Sequence, residues 1–284
     1  MRIGITGAKG FIGKHLVSAL KKRGTVVTLP RRKGLSGKRE LKQFVTDIDL
    51  FFHLGGVNRG TDEEILNGNI IGTSRLLESI LNYGKSSAHL VFASSAQVYS
   101  LVNCKTPIRE TKKASPDTVY GVSKQVAENL IRISGIPFTI LRLSNVYGPG
   151  CRPNYNSVVA TMCYRAARGL PLVINGDGRQ GRDFVYIEDV VRAFVLAGFE
   201  SVAGSGKIFN VSSGKGVSVK QIVKQVCRLH KNTKVEFLTD KKNVEISYCC
   251  DPSKFFGKYS WRPRVSLSKG IEQALSYYRG RKIT

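Results

Sequence analysis

Short apolar runs alternate along this chain with longer segments whose apolar residues recur at helical spacing. The apolar runs have the length of buried strands and are predicted at residues 2–6, 25–29, 47–54, 88–93 and 137–143, with further strands near 208 and 235. The amphipathic segments predict helices at residues 38–45, 64–83, 156–169, 190–199, 218–229 and 266–279. Strands that alternate with helices predict an α/β fold with a doubly wound parallel sheet.

A glycine-rich segment, Gly7-Ala-Lys-Gly-Phe-Ile-Gly13, follows the first predicted strand and opens a helix that should end near Arg23. Glycines at this spacing allow a tight turn, close approach of the backbone to a pyrophosphate, and close packing of helix on strand. The N-terminus of the helix adds unpaired N–H groups and a partial positive charge. The segment therefore predicts a Rossmann dinucleotide site, with these candidate cofactor-binding residues: Gly7, Lys9, Gly10, Phe11, Ile12, Gly13 and Leu54.

The second predicted strand ends in the basic run Pro30-Arg31-Arg32-Lys33. NAD(H) sites usually carry an acidic residue here, which bonds the 2′-hydroxyl of the adenosine ribose. Arg31 and Arg32 have no carboxylate to bond this hydroxyl, but their guanidinium groups suit a 2′-phosphate. The run therefore favours NADP(H), with NAD(H) as the alternative, and solvated loop charges as the explanation without a ligand.

Tyr120 and Lys124 stand one helical turn apart, so that both side chains can reach one cavity. A free phenol has a pKa near about 10, and a neighbouring cation is expected to lower it enough for acid–base work. Ser95 follows the strand at residues 88–93, at the sheet edge where ligands bind in such folds. His53 lies within an apolar run and is predicted to be a core residue rather than a catalyst.

The charge balance is strongly basic: 45 Lys and Arg against 20 Asp and Glu give a net charge of +25 over 284 residues. These residues are dispersed and form no nucleic-acid motif, so specific nucleic-acid binding is not predicted. The positive electrostatic field of this charge should attract dianionic small substrates. It also allows peripheral association with anionic membrane surfaces.

The six cysteines show neither paired nor zinc-like spacing, which predicts reduced, mostly buried thiols and no metal site. A start without a signal-peptide pattern, and no apolar run of the roughly 18 residues that a membrane span needs, predict a cytoplasmic protein.

Taken together, these motifs resemble the extended short-chain dehydrogenase/reductase family, which includes sugar-nucleotide epimerases, dehydratases and reductases. The resemblance extends over the whole chain and includes later motifs: Asn69-Ile-Ile-Gly-Thr73, Leu141-Arg-Leu-Ser-Asn-Val-Tyr-Gly-Pro149, Gly176-Asp-Gly-Arg-Gln-Gly-Arg-Asp-Phe184 and Trp261-Arg-Pro263. It implies Ser95, Tyr120 and Lys124 as catalytic residues and a UDP- or dTDP-linked sugar as substrate. It also implies that Tyr120 and Lys124 bind the cofactor and that Ser95 and Tyr120 bind the substrate. It also implies a homodimer, with residues 1–150 as the NAD(P)-binding domain and residues 151–284 as a small α+β substrate-binding region mixed with returning Rossmann elements.

The resemblance places further residues near the substrate: Ala96 at the sugar, and Asn145 and Arg182 at the phosphates. A guanidinium also binds diphosphate oxygens well, and the simplest alternative for Arg182 is a surface ion pair with Asp183. Ala96 and Gln97 stand where the dehydratases of the family carry Asp-Glu, so the acid–base pair for eliminating water is missing.

A narrower likeness concerns the segments 53–59 and 153–161, which resemble capsular-polysaccharide 4-keto-sugar-nucleotide reductases acting on UDP-linked 2-acetamido-6-deoxyhexoses. We therefore expect hydride transfer at the hexose 4-position, with reduction favoured. Epimerisation of UDP-glucose or UDP-N-acetylglucosamine at this position is the alternative. A non-catalytic dinucleotide sensor with nucleic-acid affinity is more remote.

Overall fold

The computed structural model describes residues 1–30, 34–101, 104, 106–155, 157–200, 206–238 and 247–280. Its strands, in chain order, are β1 (Arg2–Thr6), β2 (Thr25–Thr28), β3 (Leu50–His53), β4 (His89–Ser95), β5 (Phe138–Leu143), β6 (Asn145–Tyr147), β7 (Leu172–Asn175), β8 (Gly181–Tyr186), β9 (Lys207–Val211), β10 (Gly216–Ser218) and β11 (Val235–Leu238). Within these ranges the central sheet has six parallel strands in the order β2-β1-β3-β4-β5-β9. The predicted doubly wound α/β architecture is confirmed.

The helices cover both faces of this sheet. In chain order they are α1 (Phe11–Leu20), α2 (Lys38–Val45), α3 (Asp62–Leu66), α4 (Gly72–Tyr83), α5 (Val119–Ile133), α6 (Val158–Ala167), α7 (Ile187–Phe199), α8 (Val219–Leu229), α9 (Ser253–Tyr259) and α10 (Leu267–Arg279). The central strands are apolar on both sides because alternate side chains point to opposite faces. In β3, Leu50 and Phe52 join the core beneath α1 and α7, whereas Phe51 joins the core beneath α2, α4 and α5.

The second half of the chain builds a smaller layer and also returns to the central sheet. Strand β8 pairs in parallel with β6 and antiparallel with β10, while β7 pairs with β11. Helices α6, α8 and α10 pack on one another, and their buried residues belong to the same core as α1 and α7. Strand β9 lies beside β5 in the central sheet. The domain boundary at residue 150 stays a prediction. Helix α7 and strand β9 follow this residue in the chain, but β9 belongs to the central sheet and α7 shares the core of α1.

The helix predicted at residues 64–83 is in fact interrupted. It begins at Asp62 with a capping box, in which Thr61 and Glu64 bond each other's backbone N–H groups, and a π-helical turn spans Asn67–Ile71. The turn buries Asn69, whose amide accepts from the N–H of Val57 at 2.8 Å and donates to the carbonyl of Val57 at 2.7 Å. Partners distant in sequence thus satisfy a buried polar side chain, which apolar periodicity alone does not reveal.

Asp189 directly precedes the apolar run at residues 190–199, where a carboxylate would be expected to cap a helix, but it does not cap α7. Tyr186 is the N-cap residue of α7, and the buried carboxylate of Asp189 accepts from the backbone N–H groups of Arg264 and Val265, at 2.9 and 3.1 Å. The indole Nε1–H of Trp261 donates to the Asp189 carbonyl at 3.1 Å. Asp189 therefore fixes the segment before α10, a contact between residues more than 70 positions apart.

Among the six thiols, those of Cys151, Cys163 and Cys250 are buried, whereas those of Cys104, Cys227 and Cys249 are half-buried. The prediction of mostly buried thiols thus holds for half of them. None of the helices in the described ranges is long and apolar enough to cross a bilayer.

Candidate active site

A cleft of about 1480 Å³ opens at the carboxyl ends of the central strands. Its lining includes the glycine-rich loop from Gly7 to Gly13 together with Ser95, Tyr120 and Lys124. The volume exceeds the roughly 300–1000 Å³ typical of a pocket for one small molecule. The structure therefore brings the predicted cofactor loop and the predicted catalytic side chains to one cavity with room for two ligands.

The glycine-rich loop has the geometry that a dinucleotide needs. Gly7 has a φ of +70°, and a Cβ atom there would lie 2.7 Å from the backbone nitrogen of Gly55. A Cβ atom at Gly13 would lie 2.1 Å from the Gly7 carbonyl oxygen, so only glycine allows α1 to approach β1 this closely. Gly10 caps α1 without a side-chain hydrogen bond, which leaves the first N–H groups to the cleft. These residues fit a bound pyrophosphate.

The other predicted cofactor residues in the described ranges, Lys9, Phe11, Ile12 and Leu54, also line the cleft. The cleft continues to Leu29 and Pro30 after β2, whereas Arg31 and Arg32, on which the NADP(H) prediction rests, lie outside the described residues. Sequence reasoning missed Arg75 of α4, a further lining residue. Its place depends on how α4 packs on the neighbouring segment, so no local pattern marks it.

Helix α5 carries Tyr120 to Ser95 by a close backbone contact. The hydroxyl of Thr118 accepts from the N–H of Gly121 at 3.0 Å and caps the helix, which places Tyr120 in its first turn. A Cβ atom at Gly121 would lie 2.2 Å from the carbonyl oxygen of Gln97. The first turn of α5 therefore rests directly on the turn that follows Ser95.

The expected effect of the lysine on the Tyr120 phenol is not found. Burial raises the pKa of Tyr120 to about 12, although a hydrogen bond with the Ser95 side chain lowers it in part. The Lys124 ammonium lies 6.0 Å from the centre of the Tyr120 ring and donates instead to the Ala93 carbonyl, at 2.9 Å. The prediction of a lowered pKa was wrong because desolvation by burial is the largest effect on the phenol. The phenol is thus protonated at neutral pH and suited to donate a proton.

Lys124 is itself only 5 % exposed. Its ammonium lies 4.6 Å from the centre of the Phe92 ring, so the cation packs against an aromatic face. Burial lowers the pKa of Lys124 to about 8, while the negative charge of Glu128 raises it. Lys124 therefore remains mostly charged at neutral pH, at the bottom of the cleft.

A buried ion pair that sequence reasoning missed lies one turn beyond Lys124. Glu128 accepts from Nε and Nη2 of Arg142, at 2.9 and 2.6 Å, and from the hydroxyl of Ser94. The two charged side chains are only 3 % and 6 % exposed. The continuation of the Tyr120–Lys124 spacing to Glu128 was a signal in the sequence, but its partner on β5 was not.

His53 is a core residue, as predicted. Its Nδ1 bonds the hydroxyl of Thr6 at 2.7 Å and its Nε2 bonds the hydroxyl of Thr73 at 2.9 Å. Because Thr73 donates its own proton to the Asn69 carbonyl, it must accept from Nε2–H, which fixes the neutral tautomer. Burial and the nearby Lys124 lower the pKa of His53 to about 3, so it stays neutral.

The residues predicted to bind substrate separate into two groups. Asn145 lines the cleft, and its amide donates to Tyr248, a further lining residue that sequence reasoning missed, at 2.8 Å. Arg182 lies outside the cleft lining, with its guanidinium 5.9 Å from the centre of the Tyr248 ring. Ala96 is buried beneath the site and is likewise no part of the lining.

The alternative of an ion pair between Arg182 and Asp183 is wrong. Asp183 is fully buried and points inward, where it accepts from Ser144, Ser213, the N–H of Gly214 and the N–H of Cys250. Burial raises the pKa of Asp183, and these donors counteract that rise. Asp183 therefore joins the β6–β8 layer to the loop after β9.

Comparison with known proteins gives a consistent picture. Residues 3–212 match the model of the NAD dependent epimerase/dehydratase family. The chain is 36% identical over 200 residues to the UDP-2-acetamido-2,6-beta-L-arabino-hexul-4-ose reductase of Pseudomonas aeruginosa, an alignment that covers 69% of this chain and 49% of that reductase. The chain thus spans about half the length of that relative.

Two solved structures match nearly the whole chain. The UDP-glucose 4-epimerase of Thermotoga maritima, solved with UDP-glucose, has 28% identity and a TM-score of 0.88, with 99% of both chains covered. The protein RMD from Pseudomonas aeruginosa, solved with NADPH, has 25% identity and a TM-score of 0.88 over 99% of both chains. The family model covers well over half of the sequence, and the fold and cleft agree with it. This chain belongs to the NAD dependent epimerase/dehydratase family.

Proposed function

We propose that this protein transfers a hydride between a nicotinamide dinucleotide and the hexose ring of a UDP- or dTDP-linked sugar, at the 4-position. The observation that carries the proposal is the convergence of the glycine-rich loop, Ser95, Tyr120 and Lys124 on one cleft. Solved members of the family with UDP-glucose and with NADPH support both ligand classes.

The residues have distinct roles in this proposal. The cofactor, held by the loop from Gly7 to Gly13, supplies the hydride when it is bound. Tyr120 donates its phenolic proton to the oxygen on C4 of the hexose, the carbon that receives the hydride, so that a 4-keto group becomes an alcohol. Ser95 hydrogen-bonds that oxygen, and the buried Lys124 ammonium, which lines the same cleft, would bind the nicotinamide ribose.

One observation favours net reduction. The relative with 36% identity is a 4-ulose reductase by name. The alternative, 4-epimerisation, is supported by the likeness of the whole chain to the UDP-glucose 4-epimerase. Dehydration is not proposed, because Ala96 and Gln97 provide no acid–base pair.

The reductase and epimerase proposals make different predictions for the purified protein. We expect NADPH oxidation, followed by absorbance, when a UDP-4-keto-6-deoxyhexose is added, because net reduction consumes an exchangeable reduced cofactor. We expect no interconversion of UDP-glucose or UDP-N-acetylglucosamine with its 4-epimer without added cofactor. Such interconversion, together with co-purified NAD, would show that the reaction is epimerisation and not net reduction.

The cofactor preference follows from the basic run after β2. We propose that Arg31 and Arg32 bind the 2′-phosphate of NADP(H), since a charge-assisted pair is worth about 1.5–3 kcal/mol. NADPH should therefore bind about 10- to 100-fold more tightly than NADH in a fluorescence titration. The double variant Arg31→Ala/Arg32→Ala should lose this preference, and Arg179→Ala, which removes an exposed arginine outside the cleft lining, should keep it. Tighter binding of NADH by the wild type would overturn the assignment.

A further inference from the structure

The ion pair beneath the catalytic side chains belongs to a buried polar network that crosses the sheet. From Glu128 the network passes to Arg142 on β5, whose Nη1 donates to the hydroxyl of Tyr99 at 2.9 Å. Tyr99 in turn donates to the side-chain oxygen of Asn210 on β9, at 2.9 Å. The network therefore connects α5 with β5, with β9 and, through the hydroxyl of Ser94, with the end of β4.

Fold stability alone does not explain such a pair. Replacing a buried ion pair by apolar side chains of similar volume is often neutral or stabilising, because both charges must be desolvated. This pair lies directly below the reacting groups. Tyr120, Lys124 and Glu128 follow one another at four-residue intervals on one face of α5, and Ser94 directly precedes Ser95.

We infer that Glu128 is a positioning residue for the Tyr120–Lys124 pair: held by Arg142, it fixes α5 against the ends of β4 and β5. Its bond from Ser94 restrains the strand end that carries Ser95. Its two bonds from Arg142 prevent α5 from rotating or sliding along the sheet. The catalytic meaning of this inference rests on the proposed function, whereas the contacts themselves do not.

The same carboxylate also sets the charge of Lys124. Facing the ammonium are His53 from β3, Tyr120 and Glu128 from α5, and the Ala93 carbonyl from β4, with Arg142 of β5 behind Glu128. His53 and Tyr120 are neutral at pH 7, so Glu128 is the anion among these groups. Lys124 is charged below its pKa, and Glu128 raises that pKa against burial. Without the Glu128 carboxylate, Lys124 must therefore lose its charge at a lower pH.

The first measurement is a direct titration of Lys124 in protein labelled with ¹³C-lysine. The Cε resonance is assigned by its absence from Lys124→Arg, and its pH midpoint is compared between wild type and Glu128→Gln. We expect the acid dissociation constant of Lys124 to increase about tenfold or more in Glu128→Gln, equivalent to one pH unit. The control Glu110→Gln removes a carboxylate at the far end of the network, which accepts from the N–H of Asn210 at 2.7 Å, and should leave the midpoint unchanged.

The second measurement is kcat with NADPH and a UDP-4-keto-6-deoxyhexose. Glu128→Gln should lower kcat by about 100-fold with little change in KM, since small displacements of reacting groups have effects of this size. The double variant Glu128→Gln/Arg142→Gln removes the Arg142 guanidinium that the single variant would leave unpaired, and it should show the same loss, with its fold checked by near-ultraviolet circular dichroism.

The results separate the inference from the proposed function. A Lys124 midpoint that is the same in Glu128→Gln and wild type, or a kcat within twofold of Glu110→Gln in the folded double variant, would overturn the inference. A lower melting temperature without either change would mean a purely structural pair, which also contradicts it. A wild-type protein that turns over no sugar nucleotide would end the proposed function and, with it, the catalytic claim for Glu128. The titration would still show whether Glu128 sets the charge of Lys124.

Discussion

Tyr120→Phe should abolish turnover while leaving dinucleotide binding nearly intact. The substitution removes only the phenolic oxygen, so the packing of the ring in the first turn of α5 is preserved. It also removes the proposed proton donor, and proton transfer by a positioned side chain contributes about 10²- to 10⁴-fold. We therefore expect kcat to fall by about this factor, with an NADPH dissociation constant within about twofold of wild type.

The matched control is Tyr83→Phe, because Tyr83 is 48% exposed at the end of α4 and does not line the cleft. It should retain full activity. NADPH oxidation with a UDP-4-keto-6-deoxyhexose measures both variants. A Tyr120→Phe protein with wild-type kcat would refute the mechanism, whichever direction the reaction takes.

Gly13→Ala should abolish dinucleotide binding. The added Cβ atom would lie 2.1 Å from the Gly7 carbonyl oxygen and 2.8 Å from Cα of Ala8, both backbone atoms that a side-chain rotation cannot move. The loop or α1 must shift, which displaces the N–H groups proposed to hold the pyrophosphate. We expect NADPH affinity to fall by at least about 100-fold, equivalent to roughly 2.7 kcal/mol.

Gly257→Ala is the control for this prediction. A Cβ atom at Gly257 meets nothing within 4 Å, and helical glycine can be replaced by alanine with a gain in helix propensity. The control should bind NADPH like wild type in a fluorescence titration. Gly13→Ala with unchanged NADPH affinity would show that the glycine-rich loop is not the cofactor site.

Local patterns predicted most of the secondary structure. Strand β1 and helix α2 were predicted at the residues observed, because the apolar run of the one and the amphipathic spacing of the other are complete within the segment. The π-helical turn around Asn69 and the inward position of Asp189 were not predicted. Both depend on hydrogen bonds to segments distant in sequence, such as Val57 and Val265.

In the candidate active site, too, local sequence patterns predicted the position of residues but not the contacts between distant segments. Gly7, Ser95 and Tyr120 could be placed at one cleft because the carboxyl ends of parallel strands meet at one edge of the sheet. The raised pKa of Tyr120 could not be foreseen, since it arises from burial rather than from the spacing to Lys124. The partner of Glu128 is likewise set by the pairing of β4 with β5 rather than by any motif.

A deuterium-transfer experiment shows whether the protein moves a hydride from the cofactor to the hexose C4 atom. The protein is incubated with NADPH that carries deuterium on the transferring face of the nicotinamide ring and with a UDP-4-keto-6-deoxyhexose, and the product is examined by mass spectrometry and NMR. We expect one deuterium at hexose C4 for each NADPH oxidised by the wild type, and none with Tyr120→Phe. Product without deuterium at C4, or label at another ring carbon, would contradict it.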